Sequence, residues 1–259
     1  MHHASDRPNA TALSVVIPAY DEAPNLEPLV VELCDALAPL ERSWEVVLVD
    51  DGSGDDSARL LPTLAAKYPQ LRVVPLARRA GQTAAFAAGF AAACGEVIVT
   101  MDADLQNDPA DIPSLLAAMD GHDVVCGVRR RRRDSAWRRL SSRLANAARR
   151  AVTGDRVSDI GCSLKAFRRA HIREVALFDG MHRFFPVLLL LHGRSVTEVP
   201  VNHRPRRAGR SKYNARNRAL RALVDLMAVR WMRSRLLRYE VAGGSGPEPR
   251  PTETTRRRR

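Results

Sequence analysis

The sequence predicts an α/β protein with a Rossmann-like, mostly parallel central sheet flanked by helices, and three observations predict it. Short β-branched runs alternate with helical stretches through the first half of the chain, the pattern of a doubly wound sheet. Each run stops abruptly in a polar segment, and several of those segments carry acids. The chain has 259 residues with a hydrophobic fraction of 45%, enough for one sizeable core.

The elements follow in order. Leu13 to Ile17 is the first strand, broken by Pro18-Ala19-Tyr20-Asp21-Glu22. A helix from about Asn25 to Leu40 carries apolar residues at Leu26, Leu29, Val30 and Leu33. Trp44 to Val49 is a second strand, closed by Asp50-Asp51-Gly52-Ser53-Gly54-Asp55, whose turn and capping residues introduce a helix over about Ser57 to Lys67. Leu71 to Pro75 is a third strand. Gly81-Gln82-Thr83 opens a small-residue helix, Ala84 to Ala93, suited to close packing. Glu96 to Met101 is a fourth strand, Ile112 to Met119 a short helix, and Asp123 to Cys126 a further apolar run. Val196 to Val201 reads as another strand. Ligands of such sheets sit beyond the carboxyl ends of the strands, so the three acidic segments are expected to meet on one edge.

At that edge Asp102 and Asp104 stand two apart, where strand side chains point the same way. Paired carboxylates repel unless a cation, a shared proton or hydrogen bonds offset them. An EF-hand is excluded, because its sixth and twelfth positions are Asn107 and Pro113. A dinucleotide site is also disfavoured, since no GxGxxG follows the first strand. A hard divalent ion, Mg²⁺ or Mn²⁺, held by carboxylates and substrate phosphates fits the pair; a capping role is the plainer alternative.

Past Cys126 the texture changes. Arg129 to Arg150 holds ten arginines and one acid, Asp134, within a chain of formal net charge +12. The excess points to a polyanionic partner. A nucleic-acid module is disfavoured, because aromatic residues are only 5% and no binding motif is present. Four scattered cysteines read as reduced thiols. The N-terminus lacks the build of a signal peptide, and no apolar run approaches the roughly 20 residues of a membrane span. Residues 1–12 are expected to be flexible and 242–259 a disordered tail. Residues 214–241 are expected to form a basic amphipathic helix lying at a membrane interface.

Several motifs together carry a family resemblance. Ser14 to Glu22, Val47 to Asp55 and Asp102-Ala103-Asp104 resemble family 2 glycosyltransferases of the GT-A fold. Gly81 to Phe86, Asp104 to Pro109, Ser142 to Asn146, Asp159 to Lys165, His182-Arg183-Phe184, and Arg206 through Gly209 to Ser211-Lys212-Tyr213 resemble the polyprenyl-phosphate branch. That branch includes dolichyl-phosphate mannose synthases and bacterial undecaprenyl-phosphate sugar transferases. The resemblance spans roughly residues 13–230 and implies a GT-A domain over 13–213.

It also implies roles. Pro18, Ala19, Tyr20, Glu22 and Asp51 would hold the base and ribose of a UDP- or GDP-linked sugar, with Asp102 and Ala103 at the nucleoside. Asp104 and Gln106, with Asp102 as a further candidate, would bind Mg²⁺ or Mn²⁺ and the diphosphate. Arg129 and Arg143 would grip the phosphate of a polyprenyl-phosphate lipid. Arg206, Ser211 and Lys212 would close over the donor. Asp104, Arg129, Arg143 and Arg206 are thus the expected catalytic set. Asp159 is open between a catalytic and a capping role, and His182 and His203 read as structural. The expected setting is the cytoplasmic face of the cell membrane, held peripherally on anionic lipid, with room for a separate membrane-protein partner and no nucleic acid. A transferase acting on a sugar or protein hydroxyl is the alternative.

Overall fold

The computed structural model describes residues 11–130, 146–147, 149–206 and 215–237, with side chains from 223 onward in the last span. Arg143, Ser211, Lys212, segment 1–10 and the tail from 238 lie outside the described residues.

Seven strands form one sheet in the order β3-β2-β1-β4-β6-β5-β7. They are β1 (Leu13–Ala19), β2 (Trp44–Asp50), β3 (Leu71–Pro75), β4 (Val97–Thr100), β5 (Val124–Arg129), β6 (Lys165–Arg168) and β7 (Val196–Val201). Only β6 runs against the rest, between β4 and β5. The helices are α1 (Ala23–Leu37), α2 (Ser57–Lys67), α3 (Gln82–Ala92), α4 (Ile112–Ala118), α5 (Arg169–Ile172), α6 (Phe185–Leu191) and α7 (Ala215–Ser234). The expected strands and helices match these to within a few residues. β5 was legible only as an apolar run and β6 only as part of a motif, and helices α5 and α6 were not expected.

Both faces of the sheet are covered. In β1, Val15 and Ile17 join one buried cluster with Leu26, Leu29 and Leu33 of α1, while Val16 joins the other with Phe86 and Phe90 of α3. That alternation is the strand period of two, and burial on both sides explains the near-continuous apolar runs. On α3, Gly89 is required: a Cβ there would lie 2.3 Å from Val16 Cγ1. Phe86, Phe90, Phe167 and Phe185 pack their rings on this face, with centroids 5.5–6.1 Å apart.

Because six strands share a direction, their ends bring residues 20–22, 51–56, 101–108, 129–130 and 202–206 to one edge. Reversed β6 adds the segment before it, 159–164, to that same edge.

Candidate active site

The first two acidic loops are knitted together by backbone donors. Asp21 N–H donates to Ser53 Oγ (2.9 Å), and Asp21 Oδ1 accepts from Gly54 N–H (2.8 Å). Glu22 N–H donates to Ser57 Oγ and Ala23 N–H to Asp55 Oδ2. Asp21 adopts φ +47°, a left-handed conformation unusual outside glycine. Asp51 is buried and turns to the loop after β3, where its carboxylate accepts from Ala80 N–H (2.7 Å) and Gly81 N–H (3.0 Å). Gly52 makes this join possible, since a Cβ would sit 2.5 Å from Arg79 N. Arg79 is thereby seated over the Tyr20 ring, 4.2 Å from its centroid, a cation–π contact.

The third loop holds the carboxylate pair. Asp102 Oδ1 accepts from Gln82 Nε2 (2.9 Å), at the start of α3, and Asp102 N–H donates to Asn107 Oδ1 (3.2 Å). Ser163 Oγ donates to the same Asn107 oxygen (2.8 Å), tying the segment before β6 to this loop. Leu105, buried at φ +61°, turns the chain sharply between Asp104 and Gln106. Asp104 Oδ1 then accepts from Gln106 N–H (3.1 Å) and Oδ2 from Arg206 Nη2 (2.6 Å). Arg206 also approaches Glu22 Oε1 at 3.8 Å, so one guanidinium touches the loops after β1 and β4.

Burial raises the Asp102 carboxyl above the usual aspartate range, and the Asp104 charge adds to it; Ser163, Lys165 and Arg206 pull the other way. Burial also raises Asp104, against the Gln106 N–H and Arg206. Two carboxylates under such pressure favour a cation beside them. The donors offered are the hard oxygens of Asp102, Asp104 and the Gln106 amide. Among the described residues no group of three or more His, Cys, Asp or Glu stands ready to hold a metal. That donor set suits Mg²⁺ or Mn²⁺ completed by phosphate and water, and not a closed protein cage.

On the far side of the edge Arg129 is locked to Asp159. Its Nε and Nη2 donate to Oδ2 and Oδ1, both at 2.7 Å, and the side chains are 14% and 12% exposed. Asp159 therefore orients a guanidinium, a role outside the catalytic and capping alternatives that the sequence offered. Lys165 is buried at the start of β6 and donates to the carbonyls of Ile160 and Cys162, shaping the preceding turn. Arg149 and Asp155 form a second buried ion pair, in which Nη1 donates to both carboxylate oxygens at 2.6 Å.

Of the expected residues, the structure gathers Glu22, Asp102, Asp104, Gln106 and Arg206 into one cluster, puts Tyr20 under Arg79, and turns Asp51 to the neighbouring loop. Gln82, Ser163, Lys165 and Arg204 also shape the site and were not foreseen. Only Gln82, in the motif opening α3, and Ser163 and Lys165, in the motif before β6, left any trace in sequence.

The family model for Glycosyl transferase family 2 matches residues 14–176. An undecaprenyl-phosphate 4-deoxy-4-formamido-L-arabinose transferase of Klebsiella pneumoniae subsp. pneumoniae is 40% identical over 222 residues, covering 85% of this chain and 68% of that protein. Its namesake in Pseudomonas savastanoi pv. phaseolicola is 43% identical over 218 residues, covering 83% and 63%. The chain thus spans about two thirds of the length of these curated relatives. Among solved structures, glucosyl-3-phosphoglycerate synthase from Mycobacterium tuberculosis, in complex with Mn²⁺, UDP-glucose and phosphoglyceric acid, superposes with a TM-score of 0.62 at 21% identity, covering 89% and 82% of the two chains. At that identity the likeness is one of fold. The chain belongs to the family 2 glycosyltransferases.

Proposed function

We propose that this glycosyltransferase moves a sugar from a nucleotide-sugar to the phosphate of a polyprenyl phosphate, inverting the anomeric centre. The observation that carries the reading is identity of about 40%, over most of the chain, to enzymes named for undecaprenyl phosphate. The charge pattern supports it. An acidic pocket suits a metal-bound diphosphate, and an arginine-rich flank suits a second polyanion.

In this reading Pro18, Ala19, Tyr20, Glu22, Asp51, Asp102 and Ala103 receive the nucleoside, and Asp104 and Gln106 hold the metal and the diphosphate. A divalent ion, when bound, supplies Lewis-acid stabilisation of the leaving diphosphate. Arg206, Ser211 and Lys212 are assigned to that diphosphate. Arg129 and Arg143 bind the acceptor phosphate, since the guanidinium fork matches its oxygens. Asp159 takes one edge of Arg129 and leaves the opposite edge for phosphate. An acceptor phosphate, with a second pKa of about 6, is already ionised near neutrality and needs no general base. The residues then act by positioning and charge.

We place the enzyme peripherally on the cytoplasmic face of an anionic membrane, with room for a membrane-protein partner. No helix among the described residues is long and apolar enough to cross a bilayer. Helix α7 exposes Leu223, Val224, Met227 and Trp231 beside Arg230, Arg233 and Arg235, which suits lying in an interface.

The test is a mass-spectrometric assay with UDP- and GDP-sugar panels, Mn²⁺ or Mg²⁺, and a short polyprenyl phosphate against the matching polyprenol. Sugar joined to the phosphate is expected. Transfer to hydroxyl acceptors alone would overturn the reading. Arg143→Ala should raise KM for the lipid phosphate about tenfold or more and leave donor KM unchanged.

A further inference from the structure

The segment after β7 lies in register along the third acidic loop. Asn202 N–H and Nδ2 donate to Asp111 Oδ2 (2.7 Å) and Oδ1 (3.1 Å), and His203 bridges to Asn107. Arg204 N–H donates to Gln106 O (2.9 Å), and Gln106 Nε2 returns a bond to Arg204 O (3.4 Å). The Arg204 fork spans two elements, meeting Glu32 Oε2 of α1 and Asp108 Oδ1, each at 2.5 Å. Pro205 fixes the backbone next to it. Two residues beyond this root, Arg206 lies on Asp104 at 2.6 Å and reaches toward Glu22 at 3.8 Å.

The two arginines differ in kind. Arg204 is held by two carboxylates that have no other part in the site. Arg206 is held mainly by the one carboxylate that the donor-site reading gives to a metal. Asp104 has Oδ1 turned to the Gln106 N–H and Oδ2 to Arg206, so a divalent ion taking Oδ2 would meet a guanidinium already there. Two cations that close repel, which favours the departure of one.

We propose that Arg206 is the resident counter-cation of the acidic pair, posted there by Arg204, and that the metal enters with its diphosphate by exchange for that guanidinium. The inference rests on the donor-site reading above. It assigns Arg204 as a positioning residue whose anchored root sets the reach of Arg206. Asp104 keeps a cation throughout, and the displaced guanidinium is delivered to the incoming diphosphate. The metal alone is then a poor ligand and the metal with a nucleoside diphosphate a good one, because only the latter gives Arg206 a new anion.

The test is Mn²⁺ binding to the full chain, followed by the electron paramagnetic resonance of free Mn²⁺, without nucleotide and with UDP or GDP. Arg206→Gln should bind Mn²⁺ alone about tenfold more tightly than wild type, the order of one exchanged charge pair, and lose that advantage when nucleotide is present. Arg206→Lys, which keeps the charge, should stay near wild type. Arg204→Ala should fall between wild type and Arg206→Gln. Unchanged or weaker Mn²⁺ binding in Arg206→Gln, or equal tightening in Arg206→Lys, would overturn the exchange while leaving the donor site standing. A wild-type chain that takes up no Mn²⁺ even with UDP and GDP would overturn the donor-site reading itself.

Discussion

At the amino edge of the sheet Asp123 borders a cavity of about 560 Å³ with His122, Arg168, His171 and Ser195. At the carboxyl edge Asp102 and Asp104 lie in the proposed donor site. Both settings place a partly or fully buried aspartate next to cationic side chains, yet they tune it in opposite directions. Burial alone would raise Asp123, but the Ser195 N–H and hydroxyl, with His171 and Arg194, outweigh it and hold its carboxyl below the usual range. Its Oδ2 accepts both Ser195 donors at 2.9 Å, and its Oδ1 meets His171 Nδ1 at 3.2 Å. Asp102 and Asp104 are raised instead, because their donors do not make up for burial and for the neighbouring acids. The difference separates a carboxylate whose charge its neighbours satisfy from a pair whose charges stay under pressure.

That contrast can be broken or sharpened by experiment. The largest effect is expected for Asp104→Asn, with kcat down about a thousandfold or more and the unfolding midpoint unchanged or raised, since a burial-penalised charge is removed. Wild-type turnover would break the comparison. Asp123→Asn should do the reverse, losing about 1–3 kcal/mol in chemical denaturation with kcat unchanged.

The acid limb of stability sharpens the point. Because Asp123 is held below its unfolded value of about 3.9, its contribution is fully present above that value and is lost as pH falls through the depressed folded one. The Asn variant should therefore lack that share of the loss below about pH 4. The smallest effect is expected for Gln82→Ala, which removes the donor to Asp102 and should lower kcat about tenfold, with Mn²⁺ affinity in the presence of nucleotide as the second readout.

Much of the sheet was legible because its central strands β1, β2 and β4 are largely buried and run into acid-bearing segments. β6 was not. It is four residues long and opens on Lys165, whose ammonium is buried only because the carbonyls of Ile160 and Cys162 fold back over it. A lysine at that position reads as surface until the partner loop is seen. The acidic loops were visible as strand ends, and the cluster of Glu22, Asp104 and Arg206 joins residues that the motifs had already singled out. What sequence did not disclose are partnerships across long separations: Arg79 on Tyr20, Gln82 on Asp102, Asp159 on Arg129, and Arg204 between Glu32 and Asp108. Each depends on which loops the topology makes neighbours, and local pattern holds no trace of that.

The reversed direction of β6 has a consequence for how such a chain can diversify. β5 and β6 are adjacent antiparallel strands, so the connection between Arg129 and Lys165 leaves and rejoins the sheet at a single rim. Its length and composition can change without rethreading any other element. In the proposed reading, what receives the sugar could therefore vary through this one excursion while the half of the sheet assigned to the donor stays unchanged.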